Sequence, residues 1–99
     1  MATENEQITV TDNRAENRFE ANLDGDLAMV EYLRRGNQVV FTHSEVPPAH
    51  EGQGVASAIA RTALDWARDE GLKVVPQCHF IAGFVAKHRE YDDIVEKNW

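Results

Sequence analysis

The feature that most constrains this chain is a junction near its middle. Val39, Val40, Phe41 and Thr42 lie in a strand-like run from Gln38 to Val46, and Pro47-Pro48 stops it. A proline has no N–H to give to a ladder, so the strand ends there. A helix pattern then starts directly behind two glycines. Val55, Ile59, Ala63 and Trp66 or Ala67 recur at helical spacing, with Ala56 and Ala60 beside them, up to Glu70 and the terminating Gly71. The small alanines let this helix approach a sheet closely. Leu72, Val74, Val75 and Cys78 read as a second buried strand over Leu72 to Phe80, interrupted by Pro76. Strand, helix and strand in that order imply a parallel pair joined by a right-handed crossover.

The remaining chain fits around that unit. Phe19, Ala21 and Leu23 alternate with polar residues, and Asp24-Gly25 follows as a two-residue hairpin turn. Leu27 to Leu33 is the returning strand, and Arg35-Gly36-Asn37 turns again into the run that begins at Gln38. At the other end, Ile81, Phe84, Val85 and His88 have the spacing of a second amphipathic helix. Residues 1–16 are polar apart from Ile8 and Val10, and form either a short edge strand or a loose segment. The expected fold is α/β: a compact mixed sheet with an antiparallel meander, followed by β-α-β-α. A length of 99 residues is one domain's worth, so residues 1–99 are read as a single domain.

Charge narrows the partners. Seventeen acidic residues against ten basic ones give a formal charge of −7. Nucleic acids and anionic membranes need a positive field, so neither is an expected partner. One cysteine excludes an internal disulfide and fits a reducing compartment. The start MATENEQITV has no secretory pattern, and no apolar stretch nears the roughly 20 residues that span a bilayer. A soluble, cytoplasmic protein is the expectation. The four histidines and the cysteine have no metal-site spacing, so no metal is expected.

Gly52 and Gly54 let the backbone turn tightly and approach a ligand, and the following helix offers unpaired N–H groups. That is an anion site suited to phosphate or pyrophosphate; the alternative is an ordinary strand–helix turn. The P-loop lysine and the third glycine of the dinucleotide fingerprint are absent. His43 and Glu45 are two apart on a strand and share a face, onto which Val39 and Phe41 are also read. They are candidate proton acceptors, or else a solvated strand end joined by a mutual hydrogen bond. Lys87 and His88 lead a basic cluster that can offset phosphate charge or complement its own helix end. Cys78 is a buried hydrophobe or something more, and Phe84 is core or ligand wall.

The stretch Glu51-Gly52-Gln53-Gly54-Val55-Ala56 resembles the pyrophosphate-binding motif Arg/Gln-x-x-Gly-x-Gly/Ala of the GNAT superfamily of acetyl-CoA-dependent N-acetyltransferases. Glu51 departs from it; the backbone part is intact. From Asn17 to Val95 the chain is similar to a short stand-alone GNAT-like subgroup. The shared landmarks are RFE, DG, HSEVPP, GQGVAS, VVPQCHF and KHREY. The resemblance implies a sheet splayed between two strands with the pantetheine arm of acetyl-CoA in the V-shaped gap. It implies transfer of acetyl to an amine, and an acceptor side left open because the initial helices of longer members are missing. The turn Glu51 to Ser57 would hold the pyrophosphate, and the strand end near Glu45 and Val46 would pair with the pantetheine amides. Phe84, Lys87 and His88 would border the cofactor. A cysteine at the place of Cys78 lies near the thioester in the resembling proteins, as a candidate nucleophile. Glu45 or His43 would take the amine's proton, and Tyr91 is the positional match for a thiolate-protonating tyrosine. The rival reading is a non-catalytic CoA-binding or protein-interaction module on the same fold.

Overall fold

The computed structural model describes residues 8–97. Four strands come first: β1 (Thr11–Asn13), β2 (Arg18–Leu23), β3 (Asp26–Arg35) and β4 (Gln38–Glu45). A short 3-10 turn, Pro48–His50, leads to α1 (Val55–Asp69), β5 (Lys73–Pro76) and α2 (His79–Lys87), and a second 3-10 segment spans Arg89–Ile94. The strands lie in the order of the sequence; β1 to β4 are antiparallel and β5 runs parallel to β4. This is the mixed α/β fold expected from the sequence.

Local chemistry explains most boundaries. Asp24 and Gly25 both have positive φ, 56° and 94°, as the tight β2–β3 hairpin requires, and the Asn22 side chain accepts the Gly25 N–H at 2.8 Å. α1 closes with a Schellman motif at Gly71, φ 72°: the Gly71 N–H bonds Arg68 O and the Leu72 N–H bonds Ala67 O. Leu72 is thereby turned into the core, where it is buried.

Alternation on β3 buries Ala28, Val30 and Tyr32. Val55, Ile59, Ala60, Ala63, Leu64 and Ala67 of α1 cover that face, and α2 adds Ile81, Phe84 and Val85 to the same cluster. Phe19, Tyr32 and Trp66 meet with ring centroids 5.2–5.4 Å apart, at separations where aromatic pairs attract beyond simple burial. Both helices therefore sit on one face of the sheet. The other face carries Leu27, Met29, Glu31 and Leu33 of β3, half-buried or exposed, together with Val40 and Val75, which are buried outside the helix-packed core cluster. The tail adds a last bridge at the β5 edge, where Val95 pairs with Val74 and the Glu96 N–H bonds Val74 O.

Three expectations change. The N-terminal edge strand is Thr11–Asn13, whereas Ile8 and Val10 pack partly buried against the core; residues 1–7 of that stretch lie outside the described residues. The strand read over Leu72 to Phe80 spans only Lys73–Pro76, because Pro76 brings no N–H to extend it. Cys78 is the N-cap of α2, and His79 and Phe80 form its first turn, so these three residues are not part of a strand. Finally, β4 contains a bulge. Phe41 pairs with Tyr32 and His43 pairs with Glu31, which leaves Thr42 as an extra residue. The alternation slips there. Ser44, opposite Val30, shares the core face with Phe41, while His43 and Glu45 turn to the opposite face, where their side chains are exposed. Val39 and Phe41 do not share a face with them.

The Tyr32 hydroxyl donates to Asp12 Oδ1 at 2.7 Å, and burial with that bond pushes the phenol up to about 12. A group whose folded pKa is raised stabilises the fold fully below its unfolded value near 10 and loses that contribution as pH rises toward 12. Denaturant titrations at a series of pH values should show stability falling over that window. Tyr32→Phe should cost about 1 kcal/mol at neutral pH and make the alkaline decline shallower. Some decline should persist, since Tyr91 is raised as well.

Candidate active site

The β4–β5 ladder runs from Gln38–Lys73 to Phe41–Pro76 and stops. Beyond it, Thr42 to Glu45 belong to a strand bonded only to β3 among the described strands. The chain swings away from β4 through Gln77 into α2, and the Cys78 N–H donates to Phe41 O at 2.8 Å, closing the apex of a gap in the sheet. Cys78 Sγ donates to Ser44 Oγ at 3.2 Å on the helix-covered side, and the thiol is 6% exposed. On the open side His43 Nε2 donates to Glu45 Oε2 at 2.9 Å, with both side chains exposed. That bond is the main reason His43 is held above the usual histidine range, with a smaller push from the charges of Glu45 and Glu31. The gap thus has a thiol–hydroxyl pair on one face and an imidazole–carboxylate pair on the other.

Next to the gap is the glycine turn. Gly52 and Gly54 have φ of 83° and 79°, the left-handed region that only glycine enters freely, and Gly54 caps α1 with no side-chain bond to its first turn. The N–H groups of Gly52, Gln53 and Gly54 make no backbone hydrogen bond among the described residues. A Cβ placed on Gly52 would meet nothing within 4 Å, so the turn opens onto free space. Free amides, a helix N-terminus and room in front suit an anion of diphosphate size. A cavity of about 380 Å³ lies there, lined by Val46, Glu51, Gly52, Gly54, Val55, Ala56 and Ser57, with His50 at its side. Ser57 also borders a second cavity of about 290 Å³, whose walls include Phe84, Lys87 and His88.

Most of the residues singled out for a cofactor therefore line two neighbouring cavities. Gln53 is the exception: it lines a third cavity, of about 520 Å³, and its side chain meets His50. Lys87 has no ion-pair partner among the described residues. The His88 ring stacks on Phe84 at 3.9 Å, and its Nδ1 meets Phe84 O at 2.8 Å. Tyr91 is not brought to the gap by its hydroxyl, which donates to Asp65 of α1 at 2.8 Å; burial pushes that phenol up. Residues the sequence reading passed over also border the site: Ser44, His79, Phe80 and Gly83. Gly83 alone carried a signal, since a glycine inside a helix pattern asks for a reason. The added Cβ would meet nothing within 4 Å, so its effect is to leave room in the cavity.

The sequence profile of the GCN5-related N-acetyl-transferase family matches residues 18–94, from the first residue of β2 to the last 3-10 segment. This chain belongs to that family. Among curated proteins, Protein NATD1 of mouse is 34% identical over 82% of this chain and 76% of its own length. Human NATD1 is likewise 34% identical, over 82% of this chain and 74% of its own length. The solution structure of a GCN5-like protein from Staphylococcus aureus superposes with a TM-score of 0.73 at 25% identity, covering 89% of this chain and 87% of that one. The matched residues span the gap, the glycine turn and both helices of this chain.

The pairing across the bulge can be tested. Deleting Thr42 takes out the extra residue and leaves Phe41 opposite Tyr32, His43 opposite Glu31 and Ser44 opposite Val30, so Ser44 stays on the core face and His43 on the open one. The deletion should therefore cost less than about 2 kcal/mol, because no imidazole is buried without its partner. Thr42→Ala keeps the extra residue and should stay within about 0.5 kcal/mol of the parent, measured by denaturant unfolding.

Proposed function

We propose that this protein binds acetyl-CoA across the glycine turn and the sheet gap and transfers acetyl to an amine. The observation that carries the reading is the adjacency of two features: a β4 segment with no partner on its β5 side among the described residues, and a turn whose amides make no backbone bond to them. An extended ligand with amides at one end and a diphosphate at the other matches both. Bound acetyl-CoA supplies the activated thioester. The amides of Gly52, Gln53 and Gly54 and the first turn of α1 hold the diphosphate, and main-chain groups near Glu45 and Val46 pair with the pantetheine amides. Lys87 offsets phosphate charge, and Phe84 and His88 form a wall. Glu51 repels phosphate, so this turn binds through its backbone. A backbone N–H in the gap polarises the thioester carbonyl.

The acceptor amine approaches from the open side, where His43 and Glu45 stand. His43, made more basic by Glu45, takes the ammonium proton and frees the nitrogen to attack. Cys78, on the other face at the apex, lines the thioester site, and transfer proceeds directly to the amine rather than through the thiol. The lone thiol and the absence of a membrane-spanning helix among the described residues fit a cytoplasmic setting. A non-catalytic CoA-binding module is the second reading, motivated by the open side, which gives an acceptor no walled pocket. Release of CoA in the presence of amines, polyamines or lysine peptides separates the two.

At about 100 times its dissociation constant, CoA should stabilise the fold by roughly 2.7 kcal/mol. Gly54→Val should remove that shift. Ser57→Glu gives a sharper test: a carboxylate in the first turn of α1 favours the helix by about 0.3–1 kcal/mol yet repels a diphosphate. The variant should be at least as stable as the parent without CoA and gain nothing from it. Undiminished CoA stabilisation in both variants removes the turn from the site.

His43 and Glu45 should control turnover and leave CoA affinity alone. His43→Gln should cost about 10² in rate or more. Glu45→Gln replaces the charged acceptor that raises His43 with a neutral one, so the rising limb of the pH–rate profile should move to lower pH. Parental rates and profiles in both variants would take the pair out of the mechanism.

A further inference from the structure

One cluster of polar side chains beside the turn is not used by the chemistry above. His50 Nε2 lies 3.1 Å from Asp26 Oδ2, at the start of β3, and His50 Nδ1 lies 3.2 Å from Gln53 Oε1, in the middle of the turn. The imidazole is largely covered, with 19% of its side chain exposed. It borders both the 380 Å³ cavity in front of the glycines and the 520 Å³ cavity next to the β2–β3 hairpin. The turn itself has little else to hold it: its three central amides have no backbone partner among the described residues, and two of its residues are left-handed glycines.

We infer that His50 is a positioning residue: a strut that fixes the glycine turn against the β2–β3 hairpin through Asp26 and Gln53. The inference rests on the diphosphate reading of the turn. If Glu51 offers phosphate only a like charge, affinity depends on where the three free amides point, and a turn fixed beforehand loses less on binding. The charged groups around the ring are Asp26 from β3, Asp24 from the hairpin and the neighbouring Glu51. None of them is a cation that would compete for Asp26. The strut also survives a change in protonation. Nε2–H donates to Asp26 in either state. A protonated Nδ1 donates to the Gln53 oxygen, and an unprotonated one accepts from the Gln53 NH₂ after the amide turns over.

The test uses the full chain with CoA and acetyl-CoA as probes. His50→Phe keeps the ring volume and Asp26→Ala removes the anchor. Each should raise the CoA dissociation constant and the acetyl-CoA KM about tenfold with kcat within about twofold, because the turn binds and does not react. The double variant should be no weaker than either single, since all three break one strut. Asp26→Asn, whose amide oxygen still accepts from Nε2–H, should stay within about twofold of the parent. Hydrogen exchange of the amides at 51–57 in ligand-free protein should speed up in His50→Phe and Asp26→Ala and not in Asp26→Asn. Parental CoA affinity in the two disruptive variants, additive losses in the double, or equal losses in Asp26→Asn and Asp26→Ala would overturn the strut. If the parent chain binds no CoA, the diphosphate reading falls by itself. The exchange comparison still decides the strut, which unchanged rates would overturn.

Discussion

The parallel pairing of β4 with β5 lasts from Gln38–Lys73 to Phe41–Pro76 and no further. Pro76 ends it by bringing no N–H, and the bulge at Thr42 alters β4 at the same level. The proposed site is placed by that stop. The chain leaving β5 becomes α2, which brings Cys78 to the apex and Phe84, Lys87 and His88 to one cavity. The chain leaving β4 becomes the glycine turn. Had the ladder continued to Glu45, the main-chain groups of Thr42 to Glu45 would be spent on β5, leaving nothing to offer an extended ligand.

α1 joins this end of the sheet to the core. Its buried stripe, Val55 to Ala67, anchors it against β2, β3 and β5, so the direction of its free N-terminus is set by packing some distance away. Close-packed interiors have low compressibility, and a helix seated on alanines has few ways to shift. The local charge is arranged against the global one. The chain is formally −7, yet Lys87, free of an ion pair among the described residues, stands with His88 beside the second cavity. Arg61, in contrast, pairs with Glu90 at 3.3 Å and serves the tie between α1 and the last 3-10 segment.

The sequence was most legible where one residue carries its own reason. Asp24-Gly25, Gly71 and the pair Gly52 and Gly54 each mark a backbone conformation that other residues resist, and each is found as expected. The helical stripe of α1 was equally plain, because period and length agree. Alternation misled on β4. Val39, Phe41, His43 and Glu45 look like one face, and only the partner strand reveals that Thr42 is extra. Ser44 was invisible for the same cause. The strand ending at Phe80 was drawn too long because Cys78 looks like core wherever it stands. The Asp26–His50 contact joins residues 24 apart across a hairpin and a turn, a distance no periodicity spans. Family resemblance supplied what local rules did not: the gap itself, which depends on where two ladders end.

A gap of this kind is also an edge in the middle of a sheet. Sheet edges are ordinarily kept at the rim, short, charged or covered, since an unpaired strand is a template for any extended chain it meets. Here the exposed length is only Thr42 to Glu45, and His43 and Glu45 give it ionisable side chains on the open face. Those two features act as solubility devices whatever chemistry they serve. They are modest ones, and crowding or concentration works against them. An unpaired segment of this kind is where strand exchange between copies would begin. A molecule seated in the gap acts as a protective cap, so that long-term colloidal behaviour and occupancy of the cleft are properties of one short stretch of backbone.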